Sequence, residues 1–107
     1  MKPRINLRAA DFDFKEFLLR LVIAMSQDEI THKDLAYYAG LGGSTIKRIM
    51  DWRTQFPRHE TIAKIASSLR ISVDFLDGQR RARTQREKEI ETEVEDYKKQ
   101  MAKIEKA

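Results

Sequence analysis

Apolar residues in this chain recur three and four positions apart, and no segment alternates apolar with polar as a half-buried strand does. The chain therefore reads as all-α. Phe14, Phe17, Leu18, Leu21, Val22 and Met25 mark the first helix. Asp13 can cap it, with Glu16 completing a capping box and Phe12 with Phe17 forming a hydrophobic staple. The device repeats at the second helix, where Thr31 caps, Asp34 stands at the third position and Ile30 pairs with Leu35. A third helix is predicted from about Gly43 to Asp51, with Gly42 at its cap position and Ile46 and Ile49 inward. A fourth spans about His59 to Leu69, with Ile62, Ile65, Ala66 and Leu69 inward. Ser72 caps a short fifth helix through Val73, Phe75 and Leu76, which ends near Gly78.

From Gln79 the chain changes character. Arg80, Arg81, Arg83 and Arg86 lead into an acidic run from Glu87 to Asp96, and Lys98, Lys99, Lys103 and Lys106 follow. Neither glycine nor proline appears after Gly78, so helix propensity is high. Ile90, Val94, Tyr97, Met101 and Ile104 are spaced as a seam of about two heptads. The reading divides the chain into an N-terminal arm (1–11), a five-helix domain (12–78) and a charged helical tail (79–107) that can form a coiled coil. The arm carries Lys2, Arg4 and Arg8, and reads either as a plain terminus or as a segment that touches phosphates. Because the five-helix core closes before Gly78, a chain ending there is expected to keep its fold. An isolated helix of the tail's length is marginal, so the tail is expected to order on dimerisation.

Composition narrows the function classes. The 107 residues carry 21 Lys and Arg against 17 Asp and Glu, a net charge of +4 that mildly favours nucleic acid. The absence of cysteine excludes disulfides and thiolate metal sites and accords with a reducing cytoplasm. The apolar stretch from Phe17 to Met25 is interrupted by Arg20 and falls short of the ~20 residues a bilayer needs. The start does not resemble a cleaved signal peptide. A cytoplasmic, nucleoid-associated protein with no membrane partner is expected. No enzyme is expected either. The acidic run reads as a solvated face, Ser44 has no histidine–aspartate set, and Leu41 to Thr45 lack the phosphate-loop lysine and spacing. His32 and His59 have no partner ligands near them in sequence, so neither metal nor cofactor is expected.

The richest segment is residues 31–50, THKDLAYYAGLGGSTIKRIM. It reads as two short helices joined by a glycine turn, with Leu35, Ala36 and Ala39 inward on the first and Gly40 free to turn left-handed. The outer face of the second helix is small, polar and basic, which is what a helix entering the major groove needs.

DLAYYAG, STIKRI, FPRHETIAKIASSL and ISVDFLDG, in this order and spacing, resemble the lambda-repressor/Cro-like (Xre-like) helix–turn–helix family from about Phe14 to Gly78. The resemblance implies a five-helix DNA-binding domain. It places Gly43, Ser44 and Arg48 where relatives carry base-reading side chains. Gly43 departs from the family's common glutamine and cannot read a base, so reading shifts to Ser44 and to Arg48, whose fork matches guanine O6 and N7. Thr45 and Lys47 are implied to hold phosphates or flank the bases. His32 stands where the family has a phosphate-binding glutamine, and Arg53 and Arg58 lie in a loop that follows the DNA backbone. Trp52 replaces a frequent glycine and Met50 a frequent glutamate, so this loop is expected to differ in shape. Trp52 is read as packing rather than as stacking on a base.

The resemblance implies a sequence-specific double-stranded DNA-binding transcriptional regulator, a repressor acting as a homodimer on an inverted repeat, of the kind carried by phages and mobile elements. Two dimer surfaces stay open: Val73, Phe75 and Leu76 of the fifth helix, or Ile90, Val94, Tyr97, Met101 and Ile104 of the tail. The alternative is an antitoxin-like or other protein-interaction module whose tail binds a partner protein.

Overall fold

The computed structural model describes residues 12–106, and the expected arm, residues 1–11, lies outside them. Among the described residues all regular structure is helical: α1 (Phe14–Asp28), α2 (His32–Ala39), α3 (Thr45–Met50), α4 (His59–Leu69), α5 (Val73–Leu76) and α6 (Gln85–Lys106).

The caps explain the boundaries. The Glu16 amide donates to Asp13 Oδ1 at 3.1 Å, and the Phe12 and Phe17 rings meet at 5.5 Å as a staple. The other half of that capping box is absent, because the Glu16 carboxylate turns to Arg20 and Lys98 instead. Thr31 and Asp34 make the full reciprocal box. Gly40 closes α2 at φ 69°, the left-handed conformation glycine adopts at least cost. Ser72 Oγ accepts from the Phe75 amide at 3.0 Å and starts α5. One boundary is corrected. The third helix begins at Thr45 with Ser44 at its cap, because the Thr45 amide bonds the Gly42 carbonyl at 3.0 Å and residues before it form a turn.

Phe17, Leu21, Leu35, Ile46, Ile49, Ile62, Ile65, Leu69, Phe75 and Leu76 are fully buried in one core. Ile90 and Val94 of α6 belong to the same core. The tail is therefore not an appendage awaiting a second copy. Its first half is a structural wall, and the expectation that it orders only on dimerisation is corrected. Helix α6 runs antiparallel to α1, as the cross-links show: Arg86 to Asp28 at 2.8 Å, Gln27 to Glu93 at 2.6 Å, Arg20 to Glu91 at 3.5 Å, and Lys98 to Glu16.

The turn into α6 holds a buried carboxylate. Glu87 is 1 % exposed. It accepts from the Ser72 amide at 2.9 Å, the Arg83 amide at 3.1 Å, the Thr84 amide at 3.4 Å and the Arg80 guanidinium at 3.1 Å. Thr84 Oγ1 accepts in turn from the Glu87 amide at 3.1 Å, completing a capping box for α6. Burial works to raise the Glu87 pKa, but the hydrogen bonds from Ser72, Arg83, Arg80 and Thr84 together outweigh it and hold the carboxyl below its ordinary value.

The second buried charge, Arg20, explains why an arginine interrupts an apolar helix. Its guanidinium lies 4.3 Å from the Phe75 ring centroid, donates to Glu16 at 3.0 Å and to the Phe75 and Arg80 carbonyls, and pairs with Glu91.

Candidate nucleic-acid interface

Helices α2 and α3 are held from below and bare above. Leu35 and Ala36 anchor α2, and Ile46 and Ile49 anchor α3, all in the core. With those positions inward, helical spacing leaves Lys47 and Arg48 exposed on α3, with Thr45 half-buried at its start. Ser44, at the cap position, is exposed, and its side chain makes no capping hydrogen bond. Among the described residues the Arg48 guanidinium has no ion pair or hydrogen bond, whereas the Lys47 ammonium pairs with Asp51 Oδ2 at 2.9 Å. The difference follows from register: Asp51 stands four residues after Lys47, on the same side of the helix.

Gly43 lies in the turn before α3, and a Cβ added there meets nothing within 4 Å. The backbone therefore does not require glycine at that position. Gly43 presents no side chain there, whereas Ser44 and Arg48 present exposed polar groups.

The loop after α3 is tied to it. The amides of Arg53 and Thr54 both donate to the Arg48 carbonyl, at 2.8 and 3.1 Å. This places the Arg53 backbone directly beside the end of α3, with its side chain exposed. Trp52 turns the chain at φ 65°, a left-handed conformation that favours glycine and costs a bulky residue about 1 kcal/mol or more. The Trp52 ring meets Phe14 edge-on at 4.8 Å, and that packing offsets the strain. Trp52 thus takes a left-handed turn while its indole packs on Phe14 and stays 44 % exposed. Gln55 Nε2 donates to the Trp52 carbonyl at 3.0 Å and steadies the same turn.

His32 and Arg58 stand at helix starts rather than on α3. His32 is the first residue of α2 and is half-buried, and its enclosed Nδ1 has no hydrogen-bond partner among the described residues. Arg58 occupies the cap position of α4 with its side chain exposed, after the buried Pro57. The structure thus gathers Ser44, Thr45, Lys47, Arg48 and Arg53 on one helix and its adjoining loop, and sets His32 and Arg58 at the entrances of the helices before and after it. Phe56, 65 % exposed beside Phe12, and Tyr37, 81 % exposed on α2, were not singled out by sequence. Phe56 directly precedes the buried Pro57, which offers a hint of a loop pinned at one residue and bare at the next.

The dimer candidates divide sharply. Phe75 and Leu76 have no exposed surface, and neither have Ile90 and Val94, so these four cannot meet a second copy. Their burial has one cause: α5 and α6 both pack against α1 in the same core. Val73 packs partly against that core. Tyr97, Met101 and Ile104 remain exposed on α6.

Among the described residues no group of three or more His, Asp or Glu side chains is placed to hold a metal ion, and no helix is long and apolar enough to cross a membrane. Compared with known proteins, the chain matches no family model, no characterised protein and no solved structure.

Proposed function

We propose that this protein is a sequence-specific double-stranded DNA-binding regulator of transcription, a repressor that acts as a homodimer on an inverted repeat. In this reading α1 to α5 form a lambda-repressor/Cro-like domain, α3 is the recognition helix, and the protein works on the nucleoid in the cytoplasm. One observation carries it. Helix α3 is fixed from below by two fully buried isoleucines, and its outer side offers Ser44, Thr45 and an Arg48 with no partner among the described residues. A guanidinium left unpaired on a rigid helix is arranged for a bidentate acceptor such as a guanine edge. Arg53, Arg58 and Lys47 supply phosphate contacts beside it, and His32 can donate at the start of α2. The protein binds rather than catalyses, and uses no cofactor. Selection of bound duplexes from a random pool tests the proposal: a two-fold symmetric motif supports it, and no enrichment rejects it.

The competing reading, an antitoxin-like module whose tail captures a partner protein, is favoured by the apolar residues left exposed at the end of α6. It predicts a failed duplex selection.

Two further outcomes follow from the residue roles. Binding is expected to weaken steeply with salt. Lys47, Arg53 and Arg58 give about six cationic phosphate contacts per dimer, and so a log–log slope of about −5. Between 50 and 200 mM salt that is roughly a thousandfold loss. A titration that stays flat removes backbone contact from the mechanism.

Arg48→Ala is expected to lower discrimination at one base pair by about 1–3 kcal/mol while weakening unrelated DNA less. Lys47→Ala is expected to weaken all sequences alike, and only modestly, since Asp51 already partners that ammonium. Competition binding with single-base operator variants separates the two. Equal losses on specific and unrelated DNA for Arg48→Ala would make Arg48 a phosphate clamp.

A further inference from the structure

An apolar groove of about 750 Å³ runs between α1 and the far half of α6. Leu19 and Val22 form its α1 wall, Tyr97 and Met101 its α6 wall, and Trp52 closes one side. Val22 is 38 % exposed, Trp52 44 % and Tyr97 45 %. Its rim carries both signs, with Asp13 and Glu16 set against Lys15 and Lys98.

The heptad stripe on α6 explains why this face is bare. Its first two members, Ile90 and Val94, are spent on the core. The antiparallel partner helix then runs out: Lys98 already pairs with Glu16, and α1 begins only two residues earlier, at Phe14. Helix α6 continues for eight residues past Lys98, on the order of 12 Å. The same stripe carries Met101 and Ile104 there, 36 % and 65 % exposed. One face of the molecule therefore holds an apolar groove and, continuing from it, an apolar ridge.

We propose that this face is the homodimer surface, with the Met101–Ile104 ridge of each copy seated against the α1 groove of the other. The inference rests on the homodimer in the function proposed above and names its surface. Three features favour a second copy as the occupant. A groove and a ridge on one face are self-complementary, and a two-fold axis satisfies both twice. The mixed rim suits a partner bearing the same balanced charges rather than an acidic or basic ligand. The ridge also continues a coiled-coil stripe whose nearer half is already used in helix packing. The contact would bring α1 and α6 of both copies into a four-helix arrangement beneath the DNA-binding loops. Trp52 would link them, because it lines the groove and immediately precedes Arg53.

Trp52 is the chain's single tryptophan, so its emission reports the groove directly. The test is analytical ultracentrifugation of the full chain without DNA over a wide concentration range, with Trp52 fluorescence followed on the same samples. The wild type is expected to dimerise, with Trp52 emission shifting to the blue along the same curve. Met101→Glu with Ile104→Glu is expected to raise the dissociation constant at least a hundredfold, and Val22→Glu on the opposite wall to raise it at least tenfold. Matching far-ultraviolet circular dichroism melts at a concentration where the wild type is monomeric would show that these exposed positions leave the fold intact. A wild type that stays monomeric at several hundred micromolar overturns the proposal, as does a double-Glu variant with an unchanged dissociation constant. A Val22→Glu variant that dimerises normally while the double variant does not would mean that ridges meet without the groove, which also overturns it. Blue-shifted emission in a monomer, independent of concentration, would show that the groove is covered from within the chain and overturns it as well. Because every measurement omits DNA, a failed duplex selection rejects the DNA-binding reading without touching this result.

Discussion

Ending the chain at Gly78 is expected to unfold the bundle. The truncation removes Ile90 and Val94 from the core, each worth about 1.5–3 kcal/mol of burial. It leaves the Arg20 guanidinium without Glu91 and Asp28 without Arg86. The Ser72 amide loses the Glu87 carboxylate that accepts from it, and the Arg20 guanidinium loses the Arg80 carbonyl as well. A domain of this size has about 5–15 kcal/mol in total, and these losses approach it. The expected result is a chain with residual helix by far-ultraviolet circular dichroism, no cooperative melt and exposed apolar surface that binds a hydrophobic dye. Retention of a sharp thermal transition in the truncated chain would show that α6 decorates a core that stands without it. A milder cut after Lys98 is the contrast. It keeps every named link to α1 and removes the Met101–Ile104 ridge, so it is expected to melt as a folded protein and fail to dimerise.

Helix starts and inward faces were legible because each rests on local chemistry. Asp13, Thr31 and Ser72 cap where their side chains predict, and the fourth helix runs over His59–Leu69 as read. Local chemistry also misled. The stretch from Glu87 to Asp96 is rich in carboxylates, and averaging it as a solvated run hid the buried Glu87 and the half-buried Glu91 that pairs with Arg20. The signal was present in Thr84 and Glu87, which have the spacing of a capping box. The four-three spacing of Ile90, Val94, Tyr97, Met101 and Ile104 told correctly that one stripe of α6 is apolar. It could not tell what covers the stripe, because a helix of the same chain and a helix of another copy satisfy the same period. Arg20 gave the converse signal, a charge within an apolar helix, and its partners lie up to 71 residues away at Glu91, beyond any local pattern. For the interface, the i, i+4 spacing made the Lys47–Asp51 bridge legible, but that Arg48 has no partner among the described residues required the fold.

Replacing Glu87 by alanine is expected to cost about 3–5 kcal/mol, the range for removing one partner of a buried charge pair. The four donors around it, from Ser72, Arg83, Thr84 and Arg80, would point into a space without an acceptor. Glu87→Gln tests the charge itself. Glutamine keeps the shape but puts an amide NH₂ where donors already converge, so it too is expected to destabilise, though less than alanine. Acid does the same to the wild type by protonating one carboxyl oxygen. Since the folded-state pKa lies below the ordinary value of 4.5, Glu87 stabilises the fold fully above about that pH. Its contribution is lost as the pH falls through the lowered folded value. Denaturant midpoints measured from neutral pH down to about pH 3 are expected to fall steeply for the wild type in the acid limb. They should fall less for Glu87→Gln, so that the two proteins converge at the lowest pH. Parallel curves across the whole range would mean that the Glu87 carboxylate titrates alike in the folded and unfolded chain, and that the junction between α5 and α6 is held by its apolar neighbours alone.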